Sequence, residues 1–459
     1  MKLPFISITE KEKQEMLAAI GVHSTDEFFS HIPEKIRAKA LKAFSKPYAF
    51  SEPLSEMEII EEIKTFASMN EKALKKISFQ GAGAYRHFIP SALNYVLSRS
   101  EFLTSYTPYQ PEISQGTLQA TFEFQSYAAM LTGMDIANAS MYDGATATAE
   151  AVSMAMKITG RNRVLLSKAL HPNYVDVIKT YTNGIGANIE FIDFDRETGF
   201  TSDKNLHSMI NEQTACAVIG YPNFFGIVEP IDRLFGIVKE NKAIPIAVIT
   251  EAMSTGMLNP PGSFGAGIVV MECQSFGVPL MFGGPYIGVI ATKKEYVRQL
   301  PGRLVGETVD RDGNRAWTLT LATREQHIRR EKATSNICSN EGLLAITVAM
   351  YLSLIGQTGL INTARINHKN AVYLLNKLKE NNGITIPFSG PIFNEFVVSI
   401  KGMDRMYDQL IRRGFIPGVS VGRFYEDMDD YLLINTTELH SQRQLDLFVE
   451  AAYESMYSK

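Results

Sequence analysis

The sequence predicts an α/β fold: a large domain on a mostly parallel sheet, a smaller C-terminal α/β domain, and a helical N-terminal arm. Three observations carry this. From about Asn138 to Thr292, short β-branched apolar runs alternate with segments of helical periodicity. Strands that are apolar on both faces, alternating with amphipathic helices, belong to a sheet covered by helices on both sides. After about Glu341 helices and strands alternate again on a smaller scale, whereas the first eighty or so residues carry helical spacing and no strand pattern. The expected boundaries are 1–85 for the arm, 86–330 for the large domain and 331–459 for the small one.

In the arm, Thr9 and Glu12 form a capping box ahead of Gln14–Ile20, and Ser24 and Glu27 another ahead of Phe28–His31. Met57–Lys76 places Met57, Ile60, Ile63, Phe66 and Ala67 on one side, which predicts one buried face. The predicted strands are Val164–Ser167, Ile189–Asp193, Cys216–Tyr221, Ile246–Thr250 and Gly267–Glu272. The helices between them are Thr146–Ile158, Tyr174–Thr182, Asp203–Ile210 and Ile231–Glu240. About 14 residues rich in Gly and Pro separate Glu272 from the next strand, Tyr286–Thr292. A helical crossover does not fit there, so this strand is predicted to run antiparallel. The small domain is expected to hold two helices, strands Phe396–Ile400 and Tyr431–Thr436 around a helix Asp404–Arg413, and a closing helix.

The 459 residues are 45% hydrophobic and 20% charged with a formal net charge of −4, an ordinary globular balance without a basic footprint for nucleic acid or anionic membrane. No uninterrupted apolar run reaches the roughly 18–20 residues of a membrane span, and the most apolar helix, Leu343–Ile355, is read as too short. Cys216, Cys273 and Cys338 lie 57 and 65 residues apart, with no CxxC pair, and the eight histidines show no metal-binding spacing. A metal-free cytoplasmic protein is the expectation.

Four runs carry the functional signal. Ser105–Gly116 (SYTPYQPEISQG) combines two tyrosines, two prolines and Glu112, and suits either a packed connector or a loop lining a site. Asp143-Gly144 opens a helix of small residues. Such an N-terminus can cradle a phosphate, but an Asp143 carboxylate satisfies the same amides and repels a dianion. Glu251 ends one strand and Gln274 follows the next, inside a window from Ala243 to Thr292 without a lysine or arginine. Arg329–Asn340 is a charged run that passes into the polar residues Thr334, Ser335 and Asn336, either helix caps or an interface loop.

The strand–Glu251–strand–Gln274 layout resembles the cofactor-holding half of a pyridoxal-phosphate (PLP) enzyme of the aspartate-aminotransferase type, fold type I. There an acidic residue faces the pyridine nitrogen, a ring such as His171 stacks on it, and a lysine forms the Schiff base. Here an amide, Gln274, stands at the lysine's place. The four runs, with Gln-Ser-Phe-Gly-Val-Pro, Phe-Gly-Gly-Pro-Tyr and Arg-Arg-Glu-Lys-Ala-Thr-Ser-Asn-Ile-Cys, resemble the glycine cleavage system P-protein family in its split form, on the side of subunit 1. The likeness runs from Ala18–Val22 to Leu432–Glu438. Five positions depart from the family pattern: Arg86, Glu251, Gly267, Met271 and Cys273, four of them placed around the cofactor cleft.

The resemblance implies a PLP-transferase-like fold that binds no PLP covalently and pairs with a homologous subunit 2 carrying it. Glycine is decarboxylated on the partner, and the aminomethyl group passes to the lipoyl arm of the H-protein. It implies that Tyr106 and Tyr109, with Glu112 and His87 nearby, border the partner's site or lipoyl channel. Thr334, Ser335 and Asn336 fall at the interface, and Asp143, Gly144, His171, Glu251 and Gln274 form a vestigial cleft. Two other readings stay open: a stand-alone PLP enzyme using Lys293 or Lys168, and a non-catalytic scaffold.

Overall fold

The computed structural model describes residues 7–44, 54–70 and 76–457. The chain divides into two compact units, Met1–Leu74 and Lys75–Lys459. In the first unit, the helix Glu10–Ile20 is closed by the expected Thr9/Glu12 box, and Ser24 N–H donates to Glu27 Oε1 at 3.1 Å ahead of a 3₁₀ turn, Thr25–Phe29. The third helix is Glu56–Met69, shorter than the expected Met57–Lys76, whose residues 71–75 lie outside the described ones. Its expected buried face is overturned: Met57, Ile60, Ile63 and Phe66 are all exposed. Helical periodicity defines an apolar stripe but not what covers it.

The second unit is built on a seven-stranded sheet. Its strands are β1 (Ile136–Ala137), β2 (Arg163–Ser167), β3 (Asn188–Ile192), β4 (Thr214–Gly220), β5 (Ile244–Ile249), β6 (Ile268–Glu272) and β7 (Gly288–Thr292). They lie in the order β1-β7-β6-β5-β4-β2-β3. The strands β2 to β6 run parallel to one another, while β7 runs antiparallel to β6 and to β1, as the short Gly/Pro-rich connection requires.

Alternate residues of the inner strands feed two separate cores. Ala217, Ile219, Ala247, Ile249, Val269 and Met271 face the helices Gln115–Thr132 and Ile231–Glu240. Cys216, Val218, Ile246, Val248, Ile268 and Val270 face Gly144–Thr159 and Pro172–Thr182. The period-two alternation of wholly apolar strands puts every side chain into one core or the other. Ala147, Ala151 and Ala155 let the Gly144–Thr159 helix lie close on the sheet.

The helix after Glu341 spans Gly342–Lys379, 38 residues with a break at Gly356 (φ 60°, ψ −177°) that makes the two expected helices. Taken as one element it is long and apolar enough by length and composition to cross a membrane, but the break at Gly356 ends its first helix at Ile355. Its Ala345, Val348, Ala349 and Leu352 are buried in the core of the large domain. The small domain holds a four-stranded antiparallel sheet, in the order Ile384–Thr385, Glu395–Ile400, Tyr431–Asn435, Val419–Ser420. Met403–Arg412 and Gln442–Tyr457 supply Met406, Leu410, Leu445 and Phe448 to its core. The pair Ile77–Ser78 runs parallel to Phe415–Ile416, so the chain enters this unit along the small domain. The sequence reading missed the two-residue strands and the hairpin Val305–Val309/Arg315–Leu319, whose strands mix polar and apolar residues and are partly buried.

Candidate functional site

The cleft expected from Gln274 lies beyond the C-terminal end of β6. Gln274 is buried, and its amide is fully committed. Oε1 accepts from Tyr85 N–H at 2.8 Å, and Nε2 donates to Tyr85 O at 2.9 Å and to Val278 O at 2.7 Å. The segment Phe79–His87 therefore threads the cleft. Tyr85 is buried, and its hydroxyl donates to Glu395 Oε2 at 2.7 Å, while Ala82 N–H donates to Glu395 Oε1 at 2.7 Å. Burial raises the Glu395 carboxyl to about 7 against those two bonds.

At the helix Gly144–Thr159, Asp143 caps as expected, its Oδ1 accepting from Thr146 N–H at 2.7 Å. A second carboxylate sits there too. Glu272 Oε2 accepts from Gly144 N–H at 2.8 Å, and its Oε1 from Gln274 N–H at 3.0 Å and Ile287 N–H at 3.2 Å. Burial raises Glu272 to about 8; the Asp143 charge adds to this and the three amides oppose it. Gly144 is required at this approach, because a Cβ would stand 2.3 Å from the Tyr174 hydroxyl.

Glu251 is buried, its Oε1 accepting from Met253 N–H at 2.9 Å. Its Oε2 faces His87 Nε2 at 3.1 Å and accepts from Asn394 at 3.2 Å, while His87 Nδ1 meets Glu438 Oε2 at 2.8 Å. Burial works against a charged His87, but the charges and hydrogen bonds of Glu251 and Glu438 outweigh it and raise its pKa to about 10. Glu438 is lowered: burial opposes this, and the bond and charge of His87 with the Phe88 amide overcome it. His171 caps its helix, its Nδ1 accepting from Asn173 N–H at 3.2 Å, so Nε2 carries the proton and donates to Ala82 O at 2.8 Å. Burial lowers its pKa and keeps it neutral. Gly83 (φ 91°) passes over the ring so closely that a Cβ would lie 2.9 Å from Nε2.

These side chains do not fit a pyridoxal-phosphate group. Gln274 is an amide and cannot form an imine, the carboxyl groups of Asp143 and Glu272 hold amides at the N-terminus of the Gly144–Thr159 helix, and His87 holds Glu251. The chain's own backbone covers His171. Of the five departures, Cys273 and Met271 are buried beside the cleft or in the sheet, but Gly267 is not at the cleft. It precedes the other end of β6, about 16 Å of strand away, which corrects the grouping expected from the sequence.

The candidates for a partner's site lie elsewhere. Tyr106 and Tyr109 are 76% and 73% exposed, with ring centroids 6.5 Å apart, and Glu112 is exposed beside them in sequence. Their loop is fixed at its base: Thr107 accepts from Arg303, and the Gln115 amide exchanges bonds with Trp317, donating at 2.8 Å and accepting at 2.9 Å. A small cavity joins Tyr106 and Arg303 to Asn340 and Gly342. Another joins Arg303 and Arg324 to Thr334, Ser335 and Cys338. The structure thus brings the tyrosine loop and the 334–342 loop together around Arg303. His87 stands apart from both, inside the cleft. Ser335 donates to the buried Glu150 at 2.8 Å, Thr334 accepts from Lys157 at 3.2 Å, and Asn336 is exposed. Burial raises Glu150 to about 6 against the Ser335 bond.

Sequence reasoning missed Tyr85, Glu272, Glu395 and Glu438. For Glu272 and Glu395 the signal was present: each is a carboxylate at one end of an otherwise apolar strand, where burial demands partners.

The family model described as glycine cleavage system P-protein matches residues 4–451. A probable glycine dehydrogenase (decarboxylating) subunit 1 of Oceanobacillus iheyensis is 45% identical over 454 residues, 98% of each chain. A relative of the same description from Geobacillus kaustophilus is 46% identical over 447 residues, 97% of each. A crystal structure of glycine decarboxylase (P-protein) of the glycine cleavage system, in inhibitor-bound form, superposes with a TM-score of 0.86 at 40% identity, covering 99% of this chain and 100% of that one. A sphingosine-1-phosphate lyase of Burkholderia pseudomallei, at 14% identity and a TM-score of 0.66 over 88% of this chain and 91% of its own, shares the fold. Matched along nearly its whole length in sequence and in architecture, the chain belongs to the glycine cleavage system P-protein family.

Proposed function

We propose that this chain is the subunit of a glycine decarboxylase that holds no PLP and completes a homologous PLP-carrying subunit. Together they decarboxylate glycine, release carbon dioxide and pass the aminomethyl group to the lipoyl arm of the H-protein. The observation that supports this most is the Gln274–Tyr85 lock, which fills with the chain's own backbone the place where a cofactor-bearing homologue keeps its lysine. With its own cleft closed, the chain contributes from its surface. Tyr106, Tyr109 and Glu112 border the partner's active site or lipoyl channel, and Thr334, Ser335 and Asn336 lie at the interface between subunits.

The test is co-expression with the PLP-carrying subunit, native mass determination, and glycine-dependent carbon dioxide exchange with and without this chain. A stable hetero-oligomer whose exchange depends on this chain is expected. Equal exchange by the partner alone would favour a scaffold. Borohydride reduction of the purified chain with PLP addresses the stand-alone reading, since one stoichiometric adduct at Lys293 or Lys168 would replace the proposal.

A further inference from the structure

At the opposite end of the parallel strands from Gln274, a cavity of about 350 Å³ opens between Ile158–Arg161, Lys239–Pro245, Gly265–Gly267 and Lys293–Tyr296. Its lining holds four cations, Arg161, Lys239, Lys242 and Lys293, and no carboxylate. This is a local reversal in a chain of net charge −4. Among the described residues the three lysine ammoniums have no ion-pair partner. Arg161 is held by carbonyls of Thr214, Asn241 and Lys242, so its charge is fixed but not neutralised. Glu295, whose charge reaches the Tyr296 hydroxyl, stands outside the lining.

The backbone keeps this space open. Lys239 Nζ lies over Gly265, whose left-handed backbone (φ 86°) favours glycine there. Lys242 takes the left-handed region (φ 55°) at the turn into β5. Ile158, Ala243, Ile244 and Pro245 give a small apolar floor to a lining that is otherwise polar. Like charges gathered around a half-enclosed space repel one another, and a bound dianion relieves that repulsion.

We infer that this cavity binds a small phosphate monoester with a short apolar body. Lysines act on phosphate as point charges without the forked geometry that carboxylates favour. A phosphate monoester is a compact dianion at neutral pH. The apolar floor takes its carbon portion, and the Tyr296 hydroxyl can donate to it. The site is separate from the cleft and from the tyrosine loop.

Isothermal titration of the full-length chain at low ionic strength, with phenyl phosphate and with inorganic phosphate as probes, tests this. Phenyl phosphate is expected to bind at one site, more tightly than inorganic phosphate and more weakly as salt is added. The double replacement Lys239→Gln/Lys293→Gln should weaken it at least about tenfold, and Lys204→Gln, an exposed lysine elsewhere, should not. Circular dichroism verifies that the double variant is folded, and Lys239→Gln alone should give an intermediate loss. No saturable binding of phenyl phosphate overturns the inference. So does equal affinity for the two probes, or an affinity unchanged in the double variant.

Discussion

The side chain of Gln274 and the backbone of Tyr85 exchange two hydrogen bonds, 2.8 Å and 2.9 Å long, although 189 residues separate them. The amide does for Tyr85 what a neighbouring strand would do. It satisfies both backbone groups of a residue that is 1% exposed. A lysine can reproduce neither the acceptor nor the geometry.

Gln274→Lys should therefore not restore a cofactor site. It leaves the Tyr85 amide without an acceptor and places an ammonium in a buried cleft. The expected loss is about 2–4 kcal/mol of stability, read as a lower urea midpoint. No reducible PLP adduct at position 274 should form; a stoichiometric one would show that the segment around Tyr85 leaves the cleft readily.

His87→Ala leaves Glu251 and Glu438 facing each other without the cation between them. Removing one partner of a buried ion pair costs about 3–5 kcal/mol, so the urea midpoint should fall well below that of a surface control such as His327→Ala. An unchanged midpoint would mean the two carboxylates are held by other groups.

Stability should decline as pH rises. Glu150, Glu272 and Glu395, with Glu229, which is buried and accepts from Thr201 and Asn223, are raised by burial to about 6, 8, 7 and 7. Each binds its proton more tightly folded than unfolded, so its stabilising proton is lost from about pH 4.5 upward through the folded value. His87 adds stability that is full below about pH 6.5 and is lost as pH rises through about 10. Urea midpoints should fall steadily from pH 5.5 to pH 9 (roughly the span of these shifts). A midpoint that rises over this range would contradict the assignment.

Tyr109→Phe in the reconstituted complex removes one hydroxyl from an exposed ring. If that hydroxyl meets the partner's site or the lipoyl arm, turnover should drop by about two- to tenfold, the size of one hydrogen bond. The thermal midpoint of the isolated chain should not move. Unchanged decarboxylation and aminomethyl transfer would remove Tyr109 from the site.

Much of the fold was legible because the strands are apolar on both faces and the helices announce their caps. The Asp143 cap, the antiparallel β7 and the break between two helices after Glu341 all follow from local chemistry. The short strands at Ile384, Phe415 and Val419 carry too few residues for a period, and the strands of the Val305–Leu319 hairpin mix polar and apolar residues without a clean alternation. The apolar stripe of Met57, Ile60, Ile63 and Phe66 was legible, but its exposure was not.

By itself the sequence determined the family, the parallel core and an amide, Gln274, in a window without lysine or arginine, because these rest on residue identity and local periodicity. Only the tertiary structure decided what fills the cleft around Gln274. Tyr85 and Glu395 lie 310 residues apart, and Glu272 reaches Gly144 across 128. Contacts that distant leave no local period to read. They form because each buried amide and carboxylate needs a partner, and folding settles which one it finds.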